Sequence, residues 1–387
     1  MRVVSLCAVF WCVPLLVQAQ TASQWADRAE QLIREGNPQG ALDALAHASQ
    51  TPAASASLED RIGFLLAVLH QPVEEAVPHF RKAIALNPNY AAAHYHLGAA
   101  LMMANQTDEG LAELKKATAL APNVFDYPFH LARAYETKGD LTNAATAYAQ
   151  ALKINPASDQ VRDDYAYVLI ATRQSARGIE ESRKVLAHNP SDINALMNMG
   201  YAYLETGEFD DAEKVYRQLL AINPKLAAAH YDLGLALKMK DQLEPAQAEF
   251  KAAIEADPNL AQAYYSLGIT YWQTGNFDET IRQMRAAISV KPDYAEAHYM
   301  LGIVLKQTGD LDHAMEELKT AIHLDPTTPG PYNTLGQILR IKGDKQGSEE
   351  AFAMGAKLKR EADAQLANTL EQGMRGGEFP KPVVLPH

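Results

Sequence analysis

Residues 87–98 read NPNYAAAHYHLG, and close variants return as NPKLAAAHYDLG at 223–234, DPNLAQAYYSLG at 257–268 and KPDYAEAHYMLG at 291–302. Working outward from these words, Pro88, Pro122, Pro156, Pro190, Pro224, Pro258, Pro292 and Pro326 stand 34 residues apart without insertion or deletion. A fixed period of this length marks a solenoid, in which each repeat buries its apolar face against its neighbours. Counted from the third residue after each proline, units begin at 57, 91, 125, 159, 193, 227, 261, 295 and 329. A tenth begins near Ala22 and fits after a one-residue slip before Ser57.

Each unit reads as two helices. The first carries apolar residues at helical spacing, as in Ala227, Tyr231, Leu233, Gly234 and Leu237. It ends at Gly139, Gly207, Gly275, Gly309 or Gly343, or at Asn105 or Asp241, the residue types that best tolerate a left-handed C-terminus. The second helix stops before the recurring proline, which cannot continue it. The eighth position is small in most units (Gly98, Ala132, Gly200, Gly234, Gly302), with Phe64 the exception. Glycine inside a helix costs about 1 kcal/mol relative to alanine, so its return in register implies a neighbour standing where a Cβ would be.

This pattern resembles the tetratricopeptide repeat family over roughly residues 22–362, in its period, its small positions, its Leu or Tyr at Leu101, Tyr135 and Leu237, and its closing proline. Histidine at His94, His230 and His298 replaces a customary aromatic, and the unit from Asp159 is degenerate, with Arg162 and Tyr165. The resemblance implies an all-α fold, a right-handed α-α superhelix (TPR solenoid) of about ten helix-turn-helix units. Its expected organisation is a degenerate unit at 20–56, eight regular units over 57–328, a last unit with a capping helix at 329–372 and a disordered Gly/Pro-rich tail at 373–387. The array is also similar to the non-catalytic repeat arm of protein O-linked N-acetylglucosamine transferases. A catalytic domain of that kind is not expected in the roughly 25 residues after the last unit.

The 387 residues are 48% hydrophobic, 21% charged and 8% aromatic, a globular composition. Lys and Arg number 35 against 47 Asp and Glu, a net charge of −12 that argues against nucleic-acid binding. Residues 1–19 combine an early Arg2, an apolar run from Val3 to Val17 and Gln18-Ala19, the pattern of a secretory signal peptide. The run is short for a membrane span, although an uncleaved anchor is the competing reading. Cleavage after Ala19 would also remove both cysteines, Cys7 and Cys12. The expectation is export, to a periplasmic or extracellular site, with no membrane span in the mature chain. No HExxH, GxSxG, phosphate loop or strand-linked GxGxxG occurs. Neither enzyme activity, a cofactor nor a metal site is therefore expected, and His94 is read as a packing position.

What remains is a surface. The inner wall of such a superhelix is built by the first helices, with positions five, six, nine and twelve facing inward. Position five supplies Tyr95, Phe129, Tyr231, Tyr265 and Tyr299, and position six His96, His130, Asp164, Asn198 and Asp232. Position nine adds Arg133, Tyr167 and Tyr201, and position twelve Lys238, Trp272 and Lys306. Aromatic faces offer contact area at low entropy cost, and polar neighbours can pair with an extended backbone. The tyrosines can equally be spacers between units. The expected role is a non-catalytic protein–protein interaction scaffold of the cell envelope that binds a polypeptide along this groove. The alternative is a repeat subunit recruiting substrates to a separately encoded glycosyltransferase or other enzyme. Partner identity and oligomeric state are not legible.

Overall fold

The computed structural model describes residues 20–51 and 55–375. Residues 1–19, where the signal peptide is expected, and the end of the tail lie outside them. Among the described residues all regular structure is helical, twenty α-helices in consecutive pairs. The chain divides into two compact units, Met1–Glu181 and Ser182–His387.

In the first unit α1 (Ala22–Arg34) pairs with α2 (Pro38–Gln50), and α3 (Ala56–Val68) with α4 (Val73–Leu86). Then α5 (Ala91–Met103) pairs with α6 (Thr107–Leu120), and α7 (Asp126–Thr137) with α8 (Leu141–Ile154). Helix α9 (Asp159–Ala171) and the first turns of α10 (Ser175–His188) complete it.

The second unit takes the rest of α10, then pairs α11 (Ile193–Thr206) with α12 (Phe209–Ile222), and α13 (Ala227–Met239) with α14 (Leu243–Ala256). It continues with α15 (Ala261–Gln273) and α16 (Phe277–Val290), then α17 (Ala295–Thr308) and α18 (Leu311–Leu324). The last pair is α19 (Pro329–Ile341) and α20 (Lys345–Arg375). The capping helix thus runs past its expected end, through Gly373 and Met374 to Arg375.

Local chemistry sets these boundaries. Thr21 and Gln24 form a capping box at α1, and Asn37, Ser55, Asp140, Ser158, Asp192, Asn276 and Asp310 each cap a helix with a side-chain acceptor. Second helices end because the residue before the recurring proline is pushed to extended backbone, as at Asn223 (φ −130°, ψ 90°) and Asp257 (φ −138°, ψ 96°). The left-handed residue closing the first helix is also found at His70 (φ 54°) and Arg173 (φ 63°), two positions whose types did not announce it.

In most hairpins a large side chain from the second helix lies on the small eighth position of the first; in α9–α10 the equivalent residue is Ser182. A Cβ on Gly200 would stand 2.7 Å from the Tyr216 ring, one on Gly234 2.6 Å from Phe250, and one on Gly302 2.8 Å from Leu318. Tyr216 and Phe250 are fully buried. Burial of each stabilises its hairpin by roughly 2–3 kcal/mol, and Phe250→Ala would cost about 3–5 kcal/mol once the cavity is included.

The same contact corrects the register of the second repeat. A Cβ on Gly63, not on Phe64, would meet Phe80 at 2.7 Å. The small position is therefore Gly63, and the repeat begins at Ala56, 34 residues after Ala22. The extra residue lies in the turn over residues 69–72, which is one longer than the turn over 104–106. Periodicity alone could not place the slip, because an insertion can be absorbed at any turn between two matching helices.

Candidate functional site

In several repeats a fourth-position side chain ties the first helix to the hairpin around it. His94 places Nε2 2.9 Å from the Pro88 carbonyl oxygen and Nδ1 2.5 Å from Glu113. His230 repeats the arrangement with Pro224 and Glu249, and His298 with Pro292 and Glu317. Arg162 does the same with a guanidinium, donating to the Pro156 carbonyl and to Glu181. In the second repeat the charges are exchanged: Glu59, almost fully buried, accepts from His79. Burial works against the charge of Glu113, but hydrogen bonds from Lys116 and His94 hold its carboxyl below the usual carboxylate range. The histidines read as packing residues are thus hydrogen-bonded latches. The signal was present, since a glutamate follows each of these three by 19 residues.

On the first unit's wall, His96 and His130 flank Tyr95. The Tyr95 ring lies 4.9 Å from Tyr127 on the next first helix and 5.4 Å from His130, and burial, with Asp126 nearby, pushes its hydroxyl up to about 12. His96 bonds Asp60 at 2.7 Å and lies between Phe64 and Phe80. Phe129 lies beside Phe125 and beneath the Arg133 guanidinium, while burial lowers the pKa of His130. Asp164 is half-buried and its pKa is raised by that burial, against the pull of Arg133. Glu136 and Tyr148 lie close by; the Tyr148 hydroxyl donates to Glu136. Tyr167, by contrast, is 50% exposed.

On the second unit's wall, Tyr201 is 43% exposed and its hydroxyl reaches Glu205 at 3.5 Å. Asn198 and Tyr231 are half-buried, with the Tyr231 ring 5.9 Å from Phe250. Tyr265 lies 5.2 Å from Tyr294, and the Tyr299 hydroxyl covers Gly330, where a Cβ would stand 2.5 Å away. Asp232 lies beside the buried Tyr216 hydroxyl, and burial pushes its carboxyl up to about 6. Trp272 donates from Nε1 to Gln307 at 2.9 Å, and Lys306 donates to Gln337 at 2.6 Å. Lys238 is half-buried, and burial lowers its pKa.

Two classes of aromatic therefore share the wall. Tyr95, Tyr265 and Tyr299 bridge to the following repeat and act as spacers. Position nine carries the side chains left open: Tyr167, Tyr201 and, in corrected register, Phe64 at 46% exposure. Phe64 was missed because the slip had assigned it to a core position. Phe64 also lines an open apolar depression of about 410 Å³ with Phe80, Tyr95 and Met103. Among the described residues no group of three or more His, Cys, Asp or Glu could hold a metal ion, and no helix is long and apolar enough to cross a membrane.

Sequence models of the tetratricopeptide repeat match residues 73–128, 102–159 and 265–329, and a further model described as a TPR repeat matches 200–241 and 239–275. No curated protein matches the chain. Among solved structures, a tetratricopeptide repeat protein from Parabacteroides merdae ATCC 43184 is 20% identical, covering 60% of this chain and 93% of that one at a TM-score of 0.48. MamA (41-end) from Desulfovibrio magneticus RS-1 is 22% identical over 44% of this chain and 97% of its own, at a TM-score of 0.41. YrrB, described as a TPR protein with an unusual peptide-binding site, is 19% identical over 48% of this chain and 96% of its own, also at 0.41.

Proposed function

The chain belongs to the tetratricopeptide repeat family, and we propose that it is a non-catalytic scaffold that binds a polypeptide on the wall of its first helices. The observation that carries this reading is the exposure of large aromatics at position nine, Phe64 and Tyr167 in one unit and Tyr201 in the other. An aromatic left open beside half-buried polar groups offers area to a partner side chain and hydrogen bonds to its backbone. Export is part of the proposal and rests on residues 1–19. N-terminal sequencing of the protein from its native host tests it: a mature chain beginning at Gln20 is expected, and a cytosolic protein retaining Met1 contradicts it.

Site-specific photo-crosslinking in cells tests the binding surface. A photoreactive residue at Tyr167 or Tyr201 should capture a polypeptide, and Tyr201→Ala should weaken its recovery by about tenfold, the scale of a buried aromatic anchor. The control is Glu244, exposed in the first turn of α14. Glu213 and Glu249, outwardly similar acids, are unsuitable because they hold Lys240 and His230. Capture from Glu244 with none from Tyr167 or Tyr201 would move the function to the other face.

A further inference from the structure

Three lysines among the described residues are half-buried: Lys238, Lys240 and Lys306. Lys240 lies between two carboxylates, 2.6 Å from Asp210 and 2.7 Å from Glu213. Lys306 has only the neutral Gln337 amide, at 2.6 Å. The Lys238 ammonium makes neither a hydrogen bond nor an ion pair among the described residues, and burial lowers its pKa. Lys238 and Lys306 occupy position twelve in the second unit, where Lys238, Trp272, Lys306 and Arg340 recur every 34 residues on α13, α15, α17 and α19. Arg340 faces the Phe352 ring at 5.8 Å and forms no ion pair among the described residues. Arg340 is itself exposed, whereas Lys238 and Lys306 are partly desolvated without a counter-charge, which is unfavourable and makes them candidates for a site where a ligand supplies the missing charge.

Lys238 also borders an open depression of about 450 Å³ with Met239, Tyr265, Ile269 and Gln273. Asp241 lines the same depression without forming an ion pair with Lys238. Apolar floor and cationic rim together suit a segment that carries both apolar and acidic side chains. The geometry points to an acidic, extended polypeptide segment as the partner of the second unit, its carboxylates taken by Lys238, Lys306 and Arg340. This rests on the polypeptide-binding reading and names the partner's chemistry. Packed helices stand roughly 8–10 Å apart, a distance that an extended chain in the polyproline II form covers in about three residues, returning every third side chain to the same face. An acid at every third position matches that step, with α15 presenting Trp272 in place of a cation between Lys238 and Lys306. The chain's net charge of −12 does not prevent this. At physiological salt, charges beyond about 8 Å are largely screened, so the local cations decide.

The probe is a fluorescein-labelled twelve-residue peptide of four Glu-Leu-Ser repeats, titrated with the full chain by fluorescence anisotropy. Peptides with Gln or Lys in place of Glu, and a twelve-nucleotide thymidine strand as competitor, complete the set. The Glu peptide should bind at least about tenfold more tightly than the Gln peptide and weaken with added salt. Lys238→Gln, Lys306→Gln and Arg340→Gln together should remove about tenfold or more of that affinity. Exposed cations of the same unit, Lys225→Gln, Arg285→Gln and Lys319→Gln, should change it less than about twofold. Equal binding of Glu and Gln peptides overturns the assignment without relying on any variant that must fold. So does stronger binding of the thymidine strand, or full affinity in the folded position-twelve triple. If the Glu peptide fails while Tyr201 still crosslinks a polypeptide, this inference falls and the scaffold reading stands. If Tyr167 and Tyr201 crosslink nothing while Glu244 does, the scaffold reading falls with it.

Discussion

At the scale of single residues, the wall carries destabilising burial, and Asp232 shows it most clearly. Burial beside Tyr216 raises its carboxyl from the ordinary value of 3.8 to about 6. Between those values the unfolded chain has lost its proton while the folded one retains it, so stability falls as pH rises through this window. Above about pH 6 the full cost of a desolvated carboxylate is present. Asp232→Asn should therefore raise stability at pH 7 by on the order of 1–2 kcal/mol, with the advantage fading below about pH 4. Urea melts at pH 4 and pH 7 decide it, and a variant no more stable at pH 7 would sink the argument. The fourth-position latches illustrate the opposite case. His94, His230 and His298 each bond a backbone carbonyl and a carboxylate with one side chain, and an interaction of that kind is worth about 1–3 kcal/mol when broken.

At the scale of elements, a hairpin closes where a large side chain meets a small one, and two glycines separate backbone from side-chain constraint. A Cβ on Gly98 would stand 2.9 Å from the Gly110 carbonyl oxygen and 3.0 Å from the Leu114 backbone nitrogen. Neither atom can move without shifting α6 against α5. On Gly268 the close neighbour, at 2.5 Å, is the terminal methyl of Met284, which can turn away, and the nearest backbone atom is 3.6 Å distant. Alanine gains about 1 kcal/mol over glycine within a helix. Gly268→Ala should thus be neutral or stabilising, whereas Gly98→Ala should lose about 1–3 kcal/mol to overpacking. Thermal melts of the two variants test the contrast, and equal effects would show that the eighth position is not set by the facing helix.

At the scale of the whole molecule, helices within each unit pack on their neighbours in chain order, with further contacts between first helices of adjoining repeats such as α13 with α15 and α17 with α19. Stability in such an array is close to a sum of repeat and interface contributions. Ile338 of α19 belongs to the same buried cluster as Leu301 and Leu305 of α17. Deleting residues 329–387 should therefore expose that face and lower the melting temperature, with the remaining helices retained. Circular dichroism checks this; collapse to random coil on loss of the one terminal hairpin would contradict nearest-neighbour stability.

The sequence by itself determined the repeat, the paired helices and most of their ends, because these depend on local chemistry: a proline every 34 residues, a left-handed closing residue, small side chains in register. It also placed the candidate groove residues on first helices, where the structure has them. Only the tertiary structure decided which of them are exposed. Tyr95 and Tyr201 both belong to that wall, yet one is wedged against the next helix and the other stands open. Lys240 and Lys238 are two residues apart in the chain, yet among the described residues one meets two carboxylates and the other none. Helix formation and termination depend on neighbours within a few positions, whereas exposure and charge compensation depend on groups about 30 residues away, which periodicity brings near without specifying what they touch.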